Sequence, residues 1–376
     1  MKKVAVLISH IPNPRILKRI KAVENDFNVT LIYWDRGQLE KEAFEINPQH
    51  KVIKKNIKAP QGKPTKRLIP LVKYMITVLA TLKYEKPDII HAANLDMLYI
   101  ASLYKKIFNN NSKIIYEVAD LPKYTFIKKA NSLKTILAKL LQKIEKRLTS
   151  SISKIILTSP YFWKEYFSEF IEADKYLFIP NAPTKKLFNN YEKKQQGSFT
   201  IGFIGSVRYI EQLKMLIDVV EEVDKTMKVF IAGSGPHYNE IKDYSKDKEF
   251  VEIYGPYNYE KEIVSLYEKI DCTYAVYNTK LNNVKIALPN RLYESLICEI
   301  PIIGTKETVL GNFIEQYEIG SNINEDKEEL KDVLLKLINS HELVGLYQKN
   351  CRRIKSDYYY EQNSEKLLNE YIKLTI

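Results

Sequence analysis

Phe199-Thr200-Ile201-Gly202-Phe203-Ile204-Gly205-Ser206-Val207-Arg208 is an apolar run closed by a glycine and then by polar residues. Such a run reads as a strand buried on both faces, and the amphipathic stretch Gln212–Lys225 behind it reads as a helix. The same alternation continues downstream. Lys228–Ala232, Val251–Tyr254, Cys272–Val276 and Pro301–Gly304 read as strands, with helices over His237–Lys246, Tyr259–Lys269, Arg291–Ile297 and Lys327–Ser340. Upstream, Val4–Ile8, Val29–Tyr33, Ile89–His91, Ile114–Val118, Ile155–Thr158 and Leu177–Ile179 read as strands. Pro14–Asn25, Lys66–Lys83, Asp96–Phe108, Leu133–Ser150 and Tyr161–Phe170 read as the helices between them. Continuously apolar strands alternating with helices imply parallel sheets covered on both faces.

The pattern breaks in the polar, turn-forming segment Asn181–Ser198, so the expected fold is α/β with two Rossmann-like, doubly wound domains facing a cleft. The N-terminal domain is expected over 1–190 and the C-terminal one over 191–356. The closing segment 357–376, with a helix over Ser364–Tyr371, is expected to pack back on the first. A chain of 376 residues accommodates two cores of this size.

Composition narrows the class. Hydrophobic residues make up 45% and charged residues 28%, as in globular proteins. The longest apolar stretch, Leu68–Leu82, is interrupted by Lys73 and is too short to span a bilayer. Met1–Ser9 reads as a first strand rather than a signal peptide. Cys272, Cys298 and Cys351 are scattered and odd in number, which suggests neither disulfides nor a metal site and fits a cytoplasmic location. The net charge of +12 suggests a polyanionic partner.

Three motifs carry chemistry. Gly205 lets backbone N–H groups approach a phosphate, with Ser206 beside it and Arg208 as a cation; a plain strand-to-helix turn looks the same. Gly233-Ser234-Gly235-Pro236 follows another strand and reads equally as a phosphate turn or as a tight turn before a helix. In the third, Pro289-Asn290 is expected to make a turn and cap, with a helix beginning near Arg291 and continuing through Leu292 to Glu294. A helix start with Lys285 and Arg291 suits a diphosphate, and the Glu294 carboxylate could accept both hydroxyls of a ribose.

The order of these motifs resembles the GT-B glycosyltransferases, specifically the large retaining family 4. Gly205, then Gly233-Ser234-Gly235-Pro236, then Glu294 ahead of Pro301-Ile302-Ile303-Gly304 follow that family's C-terminal pattern. Ile11-Pro12-Asn13-Pro14-Arg15, His91-Ala92-Ala93-Asn94-Leu95-Asp96 and Ile179-Pro180-Asn181-Ala182 resemble its N-terminal one. The segment Asn290-Arg291-Leu292-Tyr293-Glu294 resembles bacterial surface-polysaccharide enzymes. The chain departs from the family at Ile286, which stands where the donor motif has its first glutamate, and at Glu211, which occupies a usual lysine place.

The resemblance implies transfer of a hexose-type sugar from a UDP- or GDP-sugar, with retention, to a saccharide or polyprenyl-diphosphate-linked acceptor. The donor would be held by Gly205, Ser206, Arg208, Gly233, Gly235, Lys285, Asn290, Arg291, Leu292 and Glu294. Asn13 and Arg15 would lie on the acceptor side. Candidate catalytic groups are His91, Asp96, Asp120 and Arg208, with Glu117 a further carboxylate. No Asp-x-Asp motif occurs, so cations and helix starts are expected to neutralise the leaving diphosphate without metal or other cofactor. The basic amphipathic stretches Lys66–Lys83 and Tyr124–Arg147 could lie on an anionic membrane face or pack on the sheet with a solvated side. A degenerate GT-B protein that binds without transferring is an alternative. A nucleic-acid binder, suggested by the charge and 27 tyrosines, is opposed by the dispersal of the aromatics and by the absence of a binding motif.

Overall fold

The computed structural model describes residues 1–37, 46–60, 65–127, 132–193 and 197–376. The chain forms two compact units, one of Met1–Ile179 with Asn363–Ile376 and one of Pro180–Gln362. The first unit thus ends just ahead of Asn181, before the polar stretch from which the sequence places the boundary at 190. Lys194, Gln195 and Gln196 of that stretch lie outside the described residues.

The first unit is built on a seven-stranded sheet: β1 (Lys3–Ile8), β2 (Asn28–Asp35), β3 (Lys51–Asn56), β4 (Ile89–Ala93), β5 (Lys113–Val118), β6 (Lys154–Leu157) and β7 (Tyr176–Phe178), in the order β3-β2-β1-β4-β5-β6-β7. Every pairing is parallel; Val6, for example, lies opposite both Leu31 and His91. Its main helices are α1 (Pro14–Val23), α2 (Leu68–Glu85), α3 (Asn94–Ile107) and α4 (Leu133–Thr149). Asn13 and Pro14 start α1 as cap and first residue, and the Ser132 side chain caps α4. Val4, Val6, Ile8, Ile16, Ile20, Ile89 and Ile156 share one core with Leu367 and Tyr371 of the last helix, Tyr360–Lys373.

The sequence reading passed over β3. Lys51-Val52-Ile53-Lys54-Lys55-Asn56 is an exposed edge strand, and its lysines suppress the apolar signal while protecting the edge from pairing with another chain.

The second unit has six parallel strands: β8 (Thr200–Ile204), β9 (Lys228–Ala232), β10 (Val251–Gly255), β11 (Cys272–Ala275), β12 (Ile302–Thr305) and β13 (Gly320–Ile323), in the order β10-β9-β8-β11-β12-β13. All five residues of β8 are buried, as a central strand covered on both faces requires. Strand order reverses between β1 and β4 in one sheet and between β8 and β11 in the other. In open parallel sheets, the crevice at such a reversal, outside the carboxyl ends of the strands, is where ligands bind.

Candidate functional site

In the second unit the turns after β8 and β9 lie backbone on backbone. Gly205 N–H donates to Ala232 O at 2.8 Å, Val207 N–H to Ser234 O at 3.0 Å and Gly233 N–H to Gly255 O at 2.7 Å. A Cβ on Gly233 would sit 1.8 Å from Gly205 O, and one on Gly235 would sit 2.5 Å from Val207 O. Both Gly205 (φ +138°) and Gly233 (φ +137°) also occupy backbone conformations that favour glycine. A Cβ on Gly205 would stand 2.6 Å from Nη2 of Arg291. The bare glycine is what lets that guanidinium in. Gly205, Gly233, Gly235 and Arg291 are therefore one constellation. Ser206 and Arg208 are exposed above it, with Arg208 Nε donating to Ser206 Oγ at 2.9 Å.

Arg291 sits at the reversal of strand order. Its Cζ is 3.9 Å from the ring centroid of Phe203 on β8 and 5.3 Å from that of Tyr277, just past β11. Nη1 donates to Tyr274 O on β11 at 3.4 Å. The residue is only 7% exposed, and among the described residues its side chain makes no ion pair. Burying a cation costs several kcal/mol unless a counter-charge or hydrogen bonds offset it. Two aromatic faces and one long hydrogen bond offset a part. The arrangement has capacity for an anion.

The helix carrying Arg291 is Asn290–Ile297, one residue longer at its start than the sequence suggests. Pro289 occupies the cap position and gives no side-chain cap. Asn290 instead accepts a hydrogen bond from Asn181 Nδ2 at 2.9 Å through its side-chain oxygen, so it is the first helical residue and not the cap. Leu292 is fully buried in the apolar core, which corrects its place in the donor set: its side chain does not face the site. Lys285 is exposed on the short helix Asn282–Ile286, which Ile286 closes.

Glu294 is buried and held from both sides. Its Oε1 accepts from the Tyr259 hydroxyl and its Oε2 from the Tyr267 hydroxyl, both at 2.9 Å. Burial first, then the charge of Glu294, push both tyrosine hydroxyls well above the usual range. The two tyrosines escaped the sequence reading. Their signal is an eight-residue spacing along the helix Tyr259–Tyr267, about two turns, which puts both hydroxyls on one face.

In the first unit, Glu117 at the end of β5 is the hub of a buried polar network. Arg15 donates to its Oε1, as does Arg19 Nε at 3.3 Å, and His91 Nε2 meets Oε2 at 2.7 Å. His91 Nδ1 meets the Tyr371 hydroxyl at 2.5 Å. Burial alone would raise the Glu117 carboxyl, but Arg15, Arg19 and the His91 hydrogen bond outweigh it and hold it well below the usual carboxylate range. His91 is fully buried with both ring nitrogens engaged by protein groups. That corrects its catalytic assignment: it braces the core and cannot touch a substrate. Arg15 is likewise committed to Glu117, and Asn13 to capping α1 through Ile16 N–H at 3.1 Å.

Asp96 stands differently. It lies in the first turn of α3, beside the ends of β1 and β4, with Ser9, His10 and Arg36 as neighbours. Desolvation raises its carboxyl against hydrogen bonds from Ser9 and from Met97 N–H. Burial lowers the imidazole of His10, which feels the charge of Asp96. His10 was not among the expected residues, although its place directly after β1 marks it. Asp120 is exposed just beyond β5.

Residues 198–340 match the family described as Glycosyl transferases group 1. The succinoglycan biosynthesis protein ExoL of Rhizobium meliloti is 24% identical over 351 residues, spanning 89% of this chain and 84% of that protein. Among solved structures, sucrose-phosphate synthase from Thermosynechococcus elongatus superposes with a TM-score of 0.76 at 13% identity, over 100% of this chain and 99% of that one. HepE from Anabaena, in complex with UDP, superposes with a TM-score of 0.72 at 14% identity, over 99% and 100% of the two chains.

Proposed function

We propose that the chain is a glycosyltransferase of GT-B fold, a reading supported by the family match over 198–340, by the likeness to ExoL and by the shared fold, and that it moves a hexose-type sugar from a uridine or guanosine diphosphate sugar, with retention as in family 4. The acceptor is a saccharide or a polyprenyl-diphosphate-linked sugar in the biosynthesis of a bacterial surface polysaccharide such as a capsule. The observation that carries this reading is Arg291, a buried guanidinium without an ion pair among the described residues, set where strand order reverses between β8 and β11. The relative ExoL, whose name places it in succinoglycan biosynthesis, and the UDP complex of HepE support the polysaccharide and nucleotide parts.

Sugar transfer breaks the bond between the anomeric carbon and the diphosphate, and charge grows on the leaving group. Groups fixed around that charge supply the largest part of the rate. Arg291 would pair with the diphosphate over the open backbone of Gly205, assisted by the uncapped start of the helix Asn290–Ile297 and by Lys285 and Arg208. Glu294, fixed by Tyr259 and Tyr267, would accept from the ribose hydroxyls. The apolar Ile286 gives the sugar no carboxylate, so discrimination falls mainly on the nucleotide. With cations neutralising the diphosphate, no metal or other cofactor is required. In the first unit, Asp96, with His10 beside it, and Asp120 are the groups proposed to meet the acceptor. The working location is the cytoplasm, with peripheral contact to the inner membrane face.

A thermal-shift and calorimetric screen of nucleoside diphosphates, run with a chelator present, tests this reading. Saturable stabilisation by UDP or GDP is expected. Absence of stabilisation by any nucleotide, or stabilisation only after adding a divalent metal, would sink it.

A further inference from the structure

Helix α4 is turned with its apolar face outward. Its buried positions are Thr135, Ala138, Glu145 and Thr149. Four apolar side chains of its first half point to solvent, with Leu133 86% and Ile136 65% exposed and Leu137 and Leu140 more than half exposed, while Leu141, Ile144 and Leu148 are half-buried. The reason lies in Glu145. Its carboxylate accepts hydrogen bonds from three hydroxyls, those of Tyr116, Tyr124 at 3.0 Å and Tyr166 at 2.7 Å. Rolling the helix to bury its leucines would break all three and strand a buried carboxylate. The orientation is locked.

Helix α2 repeats the feature. Tyr74, Val78 and Leu82 face inward, while Ile69 (71%) and Ile76 (62%) face out with Leu68 and Val72 on the same stripe. Helix α3 packs against both α2 and α4, so the two stripes belong to one helical layer of the first unit. Helices joining parallel strands run opposite to them, which places the first turns of α2, α3 and α4 at the carboxyl ends of the strands. Leu68, Ile69, Leu133 and Ile136 therefore lie at the end of the sheet that holds Ser9, His10 and Asp96.

The charges around the stripes have one sign. Lys134, Lys139, Lys143, Lys146 and Arg147 are exposed on α4, whose single acidic residue is the inward Glu145. Lys73 and Lys83 are exposed on α2, where Glu85 at the far end is the lone acid. Lys128 and Lys129, which the sequence reading added to this basic stretch, lie outside the described residues. An apolar ridge flanked by lysines and free of outward acids is complementary to the interface of an anionic bilayer, where side chains of Leu and Ile enter the acyl boundary and lysines meet lipid phosphates. No helix among the described residues is long and apolar enough to cross a membrane, so the contact is one of lying on the surface.

We propose that the outward faces of α2 and α4 form a docking surface for an anionic lipid bilayer, holding the Asp96 end of the first sheet at the headgroup level where a lipid-linked acceptor presents its sugar. The inference rests on the lipid-linked form of the acceptor proposed above.

The test is flotation of the full chain with vesicles of phosphatidylcholine, alone or with about one third phosphatidylglycerol, at low and raised salt. The chain is expected to float with the anionic vesicles, to do so about tenfold less or weaker still with neutral ones, and to lose binding as salt rises. Ile69→Glu/Leu137→Glu changes two exposed side chains and should lower anionic-vesicle binding by about tenfold or more, with UDP affinity and thermal midpoint unchanged. Either of two results overturns the proposal: wild-type protein that ignores anionic vesicles, or a double variant that floats like wild type. A variant that turns a wild-type dimer into a monomer without altering flotation also overturns it, by assigning the face to a second copy. Because UDP affinity is read on the same samples, failed docking with intact nucleotide binding refutes only this surface, whereas docking without nucleotide binding refutes the donor reading.

Discussion

Replacing Arg291 by methionine separates a ligand-binding cation from a structural one. The guanidinium is held by the faces of Phe203 and Tyr277 and by a 3.4 Å hydrogen bond to Tyr274 O. Losing these contacts removes about 1–2 kcal/mol of cation–π attraction and little more. Against that, methionine fills a similar volume without the desolvation penalty of an unpaired charge, which is several kcal/mol. The free energy of unfolding is therefore expected to stay within about 1 kcal/mol of wild type or to rise. Nucleotide binding should respond in the other direction. A charge-assisted hydrogen bond to a diphosphate contributes about 1.5–3 kcal/mol, so UDP affinity should fall roughly ten- to hundredfold. Calorimetric titration with UDP and urea unfolding on the same preparation give both numbers. Unchanged affinity would show that Arg291 does not face the diphosphate. A loss of about 3 kcal/mol or more in stability would show that the cation is a prop of the fold, and the reasoning from its burial would fail.

Two further outcomes follow from the geometry. Gly233→Ala places a Cβ 1.8 Å from Gly205 O at a φ of +137°; backbone strain and overpacking should together cost about 3 kcal/mol or more in urea unfolding, whereas Gly197→Ala, with nothing within 4 Å among the described residues, should be neutral to within about 0.5 kcal/mol. Equal responses of the two variants would contradict the packed-turn account. Glu117→Gln leaves Arg15 and Arg19 without their counter-charge and should cost about 3–5 kcal/mol near neutrality. Because the folded carboxyl is held well below the usual carboxylate range, its stabilising contribution is full above that range and fades as pH falls through the folded value. The gap between wild type and variant should accordingly narrow in unfolding curves measured below about pH 4.5, and a gap independent of pH would rule out Glu117 as the charged hub.

What the sequence disclosed was governed by local pattern. Each strand of continuous Ile, Val and Phe is evident, because burial on both faces needs no knowledge of a partner; β8 and β9 are examples. Edge strand β3 was hidden, since its lysines answer to a need for solubility and not for packing. The glycines of the second unit were visible, yet their reason was not: Gly205 is bare to admit a guanidinium far along the chain, and Gly233 to admit Gly205 itself. His91 misled for the same cause. A histidine at a strand end is an open catalytic group or a core brace according to what faces it, and here the facing group is Tyr371, from the last helix. In α4 the amphipathic period was plain, but which face turns inward was fixed by hydroxyls on Tyr116, Tyr124 and Tyr166, none of them within the helix.

The return of Asn363–Ile376 to the first unit sets an order of maturation. The second unit is encoded without interruption from Pro180 to Gln362 and has all its strands once that stretch is made. The first unit, although synthesised earlier, still lacks Leu367 and Tyr371, and with them the partner of His91 and the edge-on ring against Phe27. Domains ordinarily complete themselves in the sequence in which they leave the ribosome. In this protein the half that is translated first is the half that finishes last.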